Sequence, residues 1–123
     1  MKARALVLVA HGSPDPDWAA PLREVVDTMR RLDTGTEVEL ALLTESESLN
    51  DALARLQARG HRHIEVIAAL LSAGGRHLKR DIPAWVEAGR ARFPDLRIEL
   101  RPGALGDRKA VIDALARCAL DAE

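Results

Sequence analysis

Apolar residues fall along this chain in two alternating patterns: short unbroken runs, and longer stretches where they recur every three or four positions. Ala5 to Ala10 is an unbroken run, as in a parallel strand covered on both faces. Trp18, Leu22, Val25, Val26, Met29 and Leu32 then recur at helical spacing, with Asp15 or Asp17 as the cap. Pro21 fits the opening turn of that helix, where its missing N–H costs no bond. Glu37 to Thr44 reads as a second strand. Ser46 or Ser48 caps the next helix, which carries Leu49, Ala52, Leu53 and Leu56 on one face and stops at Gly60. Ile64 to Leu71 is the third strand, followed by a glycine-containing loop from Ser72 to Arg80. Asp81-Ile82-Pro83 starts a third helix, which presents Ile82, Val86 and Phe93 and ends at Pro94. Arg97 to Leu100 is the fourth strand. Gly106-Asp107 opens a last helix expected to turn Val111, Ile112, Leu115 and Ala119 inward, with Cys118 near that stripe as a small core residue.

Four strand–helix pairs in alternation predict an α/β domain of three layers spanning 1–123. Its four-stranded parallel sheet has right-handed crossovers and helices on both faces. The economical strand order is 2-1-3-4, which puts the reversal of winding between the first and third strands. In open α/β sheets, ligands bind outside the carboxyl ends of the strands at that reversal. The loops that reach this point follow Ala10 and Leu71, and they contain His11 and His77.

Composition narrows the function. The chain has 123 residues, enough for one domain, with 47% apolar and 30% charged residues. Aromatic residues are few, which argues against the stacking platforms of single-stranded nucleic-acid binders. A net charge of −1 gives no global pull toward nucleic acid or an anionic membrane. One cysteine, Cys118, permits neither an intrachain disulfide nor a cysteine zinc cluster, which favours a cytoplasmic location. The apolar run near the start is too short for a signal peptide, and no stretch is long enough to span a bilayer.

His11-Gly12-Ser13 directly follows the first strand; it reads either as an imidazole aimed into the cleft or as an ordinary turn. His77 lies in Ser72-Ala73-Gly74-Gly75-Arg76-His77-Leu78-Lys79-Arg80, where paired glycines free the backbone. Two histidines converging on one cleft say more than either alone. Imidazole suits cobalt, nickel, iron and zinc, and can also accept a proton near neutral pH. Glu45 or Glu47, after the second strand, is a candidate acidic partner, and an ordinary solvated helix start is the equal alternative. Arg76, Lys79 and Arg80 can hold ligand carboxylates or form a solvated face. His61 and His63 have metal-pair spacing, yet they precede the third strand and so belong to the amino end of the sheet.

Val7-Leu8-Val9-Ala10-His11-Gly12-Ser13 with Asp15-Pro16, and Leu71 through Arg76-His77 to Asp81-Ile82-Pro83, resemble the two landmarks of the class II chelatases, and of the small CbiX-type sirohydrochlorin cobaltochelatases in particular. The resemblance covers essentially the whole chain. It implies insertion of a divalent metal (Co2+, with Fe2+ or Ni2+ as alternatives) into sirohydrochlorin for cobalamin- or siroheme-type products. By the same resemblance His11 and His77 hold the incoming metal and take the pyrrole protons; the family's acidic partner after the second strand has no direct counterpart here, and Glu45 or Glu47 would substitute for it by a shift of register. Ser13, Gly74, Gly75, Arg76 and Lys79 would contact the macrocycle and its carboxylates. The metal is then a substrate, and no permanently bound cofactor is expected. A tetrapyrrole needs cover on more than one side, so a homodimer with facing clefts is expected. The rival reading is a metal- or tetrapyrrole-binding carrier or regulator that keeps the fold without turnover. A phosphohistidine enzyme is disfavoured because Ala10, not arginine, precedes His11.

Overall fold

The computed structural model describes residues 4–45, 47–71 and 80–121. Its elements alternate as β1 (Arg4–Ala10), α1 (Ala20–Leu32), β2 (Thr36–Leu42), α2 (Ser48–Ala58), β3 (His63–Ala68), α3 (Ile82–Arg92), β4 (Arg97–Ala104) and α4 (Lys109–Leu120), with a 3-10 turn at Leu105–Asp107. The four strands form one sheet in the order β2-β1-β3-β4, and every pairing is parallel. The winding reverses between β1 and β3, as the alternation predicts. No helix among the described residues is long and apolar enough to cross a membrane.

The side-chain alternation of a strand explains the unbroken apolar run of β1. Ala5, Val7 and Val9 face one layer with Leu49, Leu53, Leu56, Ile64, Val66, Ile82, Val86 and Ile98. Leu6 and Leu8 face the other with Val26, Val38 and Ile67. A strand buried on both sides has no polar positions to alternate with. The two edge strands are tied down from above. Arg30 of α1 donates to the Val38 carbonyl at 2.7 Å, and Arg90 of α3 donates to the Ile98 carbonyl at 2.9 Å. Each guanidinium thus occupies an acceptor that an exposed sheet edge would otherwise offer to another chain.

Several expectations need correction. α4 buries none of its residues: Ile112 and Leu115 are each about half exposed, and Cys118 is exposed, not core. Periodicity records an apolar stripe but not what covers it. α1 begins at Ala20, so Trp18 precedes the helix, and neither aspartate caps it. The Asp15 carboxylate instead accepts the Asp17 N–H at 2.9 Å in a local turn. Ser48 lies inside α2, and its hydroxyl accepts the Leu42 N–H at 3.1 Å, tying the end of β2 to the helix; Ser46 lies outside the described residues. β3 ends at Ala68, three residues early. β4 runs on to Ala104 past an irregularity in its pairing with β3 between Val66 and Ala68. Gly60 does stop α2, with φ at +94°.

The amino end of the sheet is held by charge pairs. His61 Nε2 lies 3.1 Å from Glu37, His63 Nε2 lies 3.1 Å from Glu99, and Arg101 grips Glu65 through two bonds of 3.0 and 2.9 Å. Both histidines therefore have carboxylate partners at the end of the sheet opposite His11. Arg101 holds the Glu65 carboxyl below its usual range, and the His63 hydrogen bond does the same for Glu99. At Glu37 burial pushes the pKa up, but the His61 hydrogen bond and the Arg59 charge outweigh it, so the net direction is again down. Folded-state values below the ordinary 4.5 mean stability that is present above that pH and lost as pH falls through the folded values. Urea midpoints should therefore hold from pH 7 to 5 and drop below about 4.5. Glu65→Gln should flatten part of that drop, whereas an unchanged midpoint down to pH 3 would contradict the pairing.

Candidate functional site

His11 is exposed at the carboxyl end of β1, beside the reversal of winding. Its backbone is fixed by an extension of the β1–β2 ladder beyond the strands. Leu43 donates to the Ala10 carbonyl at 2.9 Å, and Thr44 donates to the His11 carbonyl at 3.1 Å. Gly12 then turns the chain with φ at +92°, and Thr44 packs so closely that a Cβ on Gly12 would lie 2.1 Å from its hydroxyl. Glycine is required there for conformation and for space. The imidazole Nδ1 sits 3.0 Å from the Gly12 carbonyl. A carbonyl can only accept, so in this contact Nδ1 is the donor, and in the neutral ring the lone pair is then on Nε2.

His11 opens on a cavity of about 320 Å³, walled by Leu43, Thr44, Asp81, Ala84 and Trp85. Leu43, Ala84 and the half-buried Trp85 make an apolar surface, and His11, Thr44 and Asp81 supply the polar groups. This combination suits a broad, mostly apolar ligand with a few fixed polar contacts. Asp81 stands at the N-cap position of α3 with its backbone already helical, and its side chain makes no capping bond. Asp81 and Trp85 are four residues apart and so share a helix face.

The acidic candidates line cavities other than the one that His11 lines. Glu45 lines a cavity with Arg23, Asp27, Arg30 and Ser48, and another with Glu47, Asp51 and Arg55, all on the outer side of β2. Glu47 accepts from Arg92 at 3.1 Å and from Asn50 at 3.2 Å. Neither glutamate lines the cavity of His11. Ser13 is not among its walls either, since its hydroxyl accepts the Asp15 N–H at 3.1 Å. His77, Gly74, Gly75, Arg76 and Lys79 lie outside the described residues, and Arg80 is exposed.

Sequence reasoning did not single out Thr44, Trp85 or the cavity-side position of Asp81. The first was available from register. Ala10 pairs with Leu42, so the residue that follows β1 must meet the pair that follows β2. The other two were visible as an i, i+4 pair at the start of the helix after β3.

The CbiX family model matches residues 5–122. No curated protein matches the sequence. Among solved structures, the chain resembles a cobalamin (vitamin B12) biosynthesis CbiX protein from Marinobacter aquaeolei VT8, with a TM-score of 0.79 and 24% identity over 96% of this chain and 93% of that one. It also resembles SirB from Bacillus subtilis, solved with Fe3+, with a TM-score of 0.79 and 23% identity over 95% of this chain. The matched region is 46% of SirB, so the present chain spans about half the length of that relative. At these identities both likenesses are likenesses of fold.

Proposed function

Since this chain belongs to the CbiX family, we propose that it is a chelatase that inserts a divalent metal ion into the tetrapyrrole sirohydrochlorin, with Co2+ as the favoured metal and Fe2+ or Ni2+ as alternatives. The family's class of reaction is metal insertion into a tetrapyrrole. The observation that carries the reading for this chain is the place of His11: at the sheet's winding reversal, proton fixed on Nδ1, opening on an apolar-walled cavity.

Insertion requires an ion stripped of water, loss of two pyrrole protons, and a macrocycle held with its nitrogens toward the metal. In the proposed mechanism His11 Nε2 ligates the ion while Nδ1–H is anchored on the Gly12 carbonyl, an arrangement that fixes the ring and raises ligand basicity. The ion then passes to the macrocycle nitrogens as their N–H bonds break. The vacated imidazole accepts one proton and delivers it to water. Trp85 and Leu43 give the flat ring an apolar wall. His77 is proposed as the second imidazole, since its stretch joins Leu71 to the helix start at Asp81. Ser13, Gly74, Gly75, Arg76 and Lys79 are proposed to meet the macrocycle's carboxylates. Adding protein to sirohydrochlorin with each metal should convert the free-base absorbance spectrum to that of the metallated ring; an unchanged spectrum with all three would overturn the reading. A carrier or regulator would bind the same ligands without turnover.

The working unit is proposed to be a cytoplasmic homodimer. One domain offers an open ledge, α4 leaves Ile112, Leu115 and Leu120 exposed, and a relative with the same fold is about twice as long. Two copies facing across a two-fold axis would cover the ring on both sides. Light scattering at micromolar concentration should give twice the 13.4 kDa chain mass. A monomer that metallates at full rate would refute this arrangement.

A further inference from the structure

We infer that Thr44 is a positioning residue for His11: its side chain bears on Gly12 and so holds the proton of the neutral imidazole on Nδ1. The inference deepens the proposed metal insertion and rests on that reading for its part in the reaction. Three contacts in series carry it. The β1–β2 ladder continues past both strands, so the Thr44 N–H meets the His11 carbonyl at 3.1 Å, one step after the Leu43 N–H meets the Ala10 carbonyl at 2.9 Å. Thr44 then lays its side chain against the face of Gly12 where another residue would carry a Cβ. That position is 2.1 Å from Thr44 Oγ1 and 3.1 Å from both Thr44 Cβ and Cγ2. The Gly12 carbonyl, in turn, lies 3.0 Å from His11 Nδ1.

Each contact removes a freedom that the chain would otherwise keep. Glycine visits many backbone angles, and at φ +92° Gly12 has no side chain of its own to resist rotation. A packed neighbour must supply that resistance. Threonine suits the task, because its branched Cβ leaves χ1 few choices and the ladder already fixes its backbone. A neutral imidazole in water exchanges its proton between the two nitrogens, with Nε2–H the commoner form. An acceptor fixed beside Nδ1 reverses that preference. The lone pair is then on Nε2, the nitrogen that the proposed mechanism gives to the metal, and ligation needs no prior proton shift. Thr44 also stands in the wall of the cavity on which His11 opens, so ladder, turn and cavity meet at one residue.

Long-range 1H–15N correlation spectra of the 15N-labelled full chain read the tautomer of each imidazole at about pH 8.5, above the ordinary range of histidine titration. His11→Ala assigns the His11 signals, and His61 and His63, held by Glu37 and Glu99 at the other end of the sheet, serve as internal references. The expected wild-type form at His11 is Nδ1–H. Thr44→Val, which keeps the branched shape without the hydroxyl, should retain it. Thr44→Ala should move His11 toward Nε2–H and lower the Co2+ affinity, read by calorimetry with Co2+ alone, by about 10–100-fold. A threonine that serves the fold alone would lower the melting temperature in Thr44→Ala and leave the His11 nitrogen shifts in place, which overturns the inference. Nε2–H in the wild type overturns it too, as does a Thr44→Val protein that behaves like Thr44→Ala, or a changed tautomer with wild-type Co2+ affinity. The test is separable from the proposed function. A wild type that keeps Nδ1–H through Thr44 but neither binds Co2+ nor metallates sirohydrochlorin sinks the chelatase reading and leaves the positioning role standing. A wild type that metallates with its His11 proton on Nε2 does the reverse.

Discussion

His11→Ala should slow metal insertion by about 10²–10⁴-fold, the range expected when a positioned proton acceptor is removed, while leaving the fold intact. The imidazole is exposed and bonds the carbonyl of the adjacent Gly12, so truncation opens no core cavity. His61→Ala and His63→Ala serve as the comparison. Each removes a histidine of the same chemistry, but at the other end of the sheet, where the partners are Glu37 and Glu99. Those variants should keep the wild-type insertion rate. Initial rates from the absorbance of the metallated ring, with melting curves alongside, decide the matter. His11→Ala at more than half the wild-type rate would remove this residue from the mechanism.

Gly12→Ala should cost both stability and activity. A left-handed backbone carries a penalty of about 1–2 kcal/mol for a residue with a Cβ. The added carbon would also lie 2.1 Å from the Thr44 hydroxyl and 3.1 Å from both Thr44 Cβ and Cγ2, so rotating the threonine exchanges one clash for another. Overpacking of this kind adds about 1–3 kcal/mol. The sum, about 2–5 kcal/mol, corresponds to a fall in Tm of roughly 10 °C or more for a domain of this size. The same substitution moves the carbonyl that anchors His11 Nδ1, so insertion should weaken even at temperatures where the variant is folded. Combining it with Thr44→Ala should restore part of the stability by removing the clash, and none of the part due to φ. A Gly12→Ala protein within about 0.5 kcal/mol of wild type would show that the turn is not so constrained.

The sheet was legible in the sequence because its signals are global. β1 is apolar on both faces, and the alternation of strands and helices leaves few ways to wind a parallel sheet. Those two facts led to the order β2-β1-β3-β4 and placed His11 at the reversal of winding. The errors were local or depended on neighbours. Asp15 had the composition of a helix cap but closes a turn of its own, which delays α1 to Ala20. β4 continues through Pro102 and Gly103, poor strand residues that an edge strand with irregular pairing tolerates. The stripe of α4 is real in the sequence and has no cover among the described residues. At the site, only the ladder that continues past β1 and β2 shows that the Thr44 N–H meets the His11 carbonyl.

Turnover is the most direct test of the central claim, because it separates a chelatase from a protein that merely binds its ligands. Sirohydrochlorin and Co2+, each in large excess over protein, are mixed under conditions where spontaneous insertion is slow, and the metallated ring is followed by absorbance. Formation of many equivalents of product per chain, at a rate proportional to protein and lost in His11→Ala, is the expected result. Product that stops at one equivalent per site, or a rate no faster than the protein-free control, would contradict it.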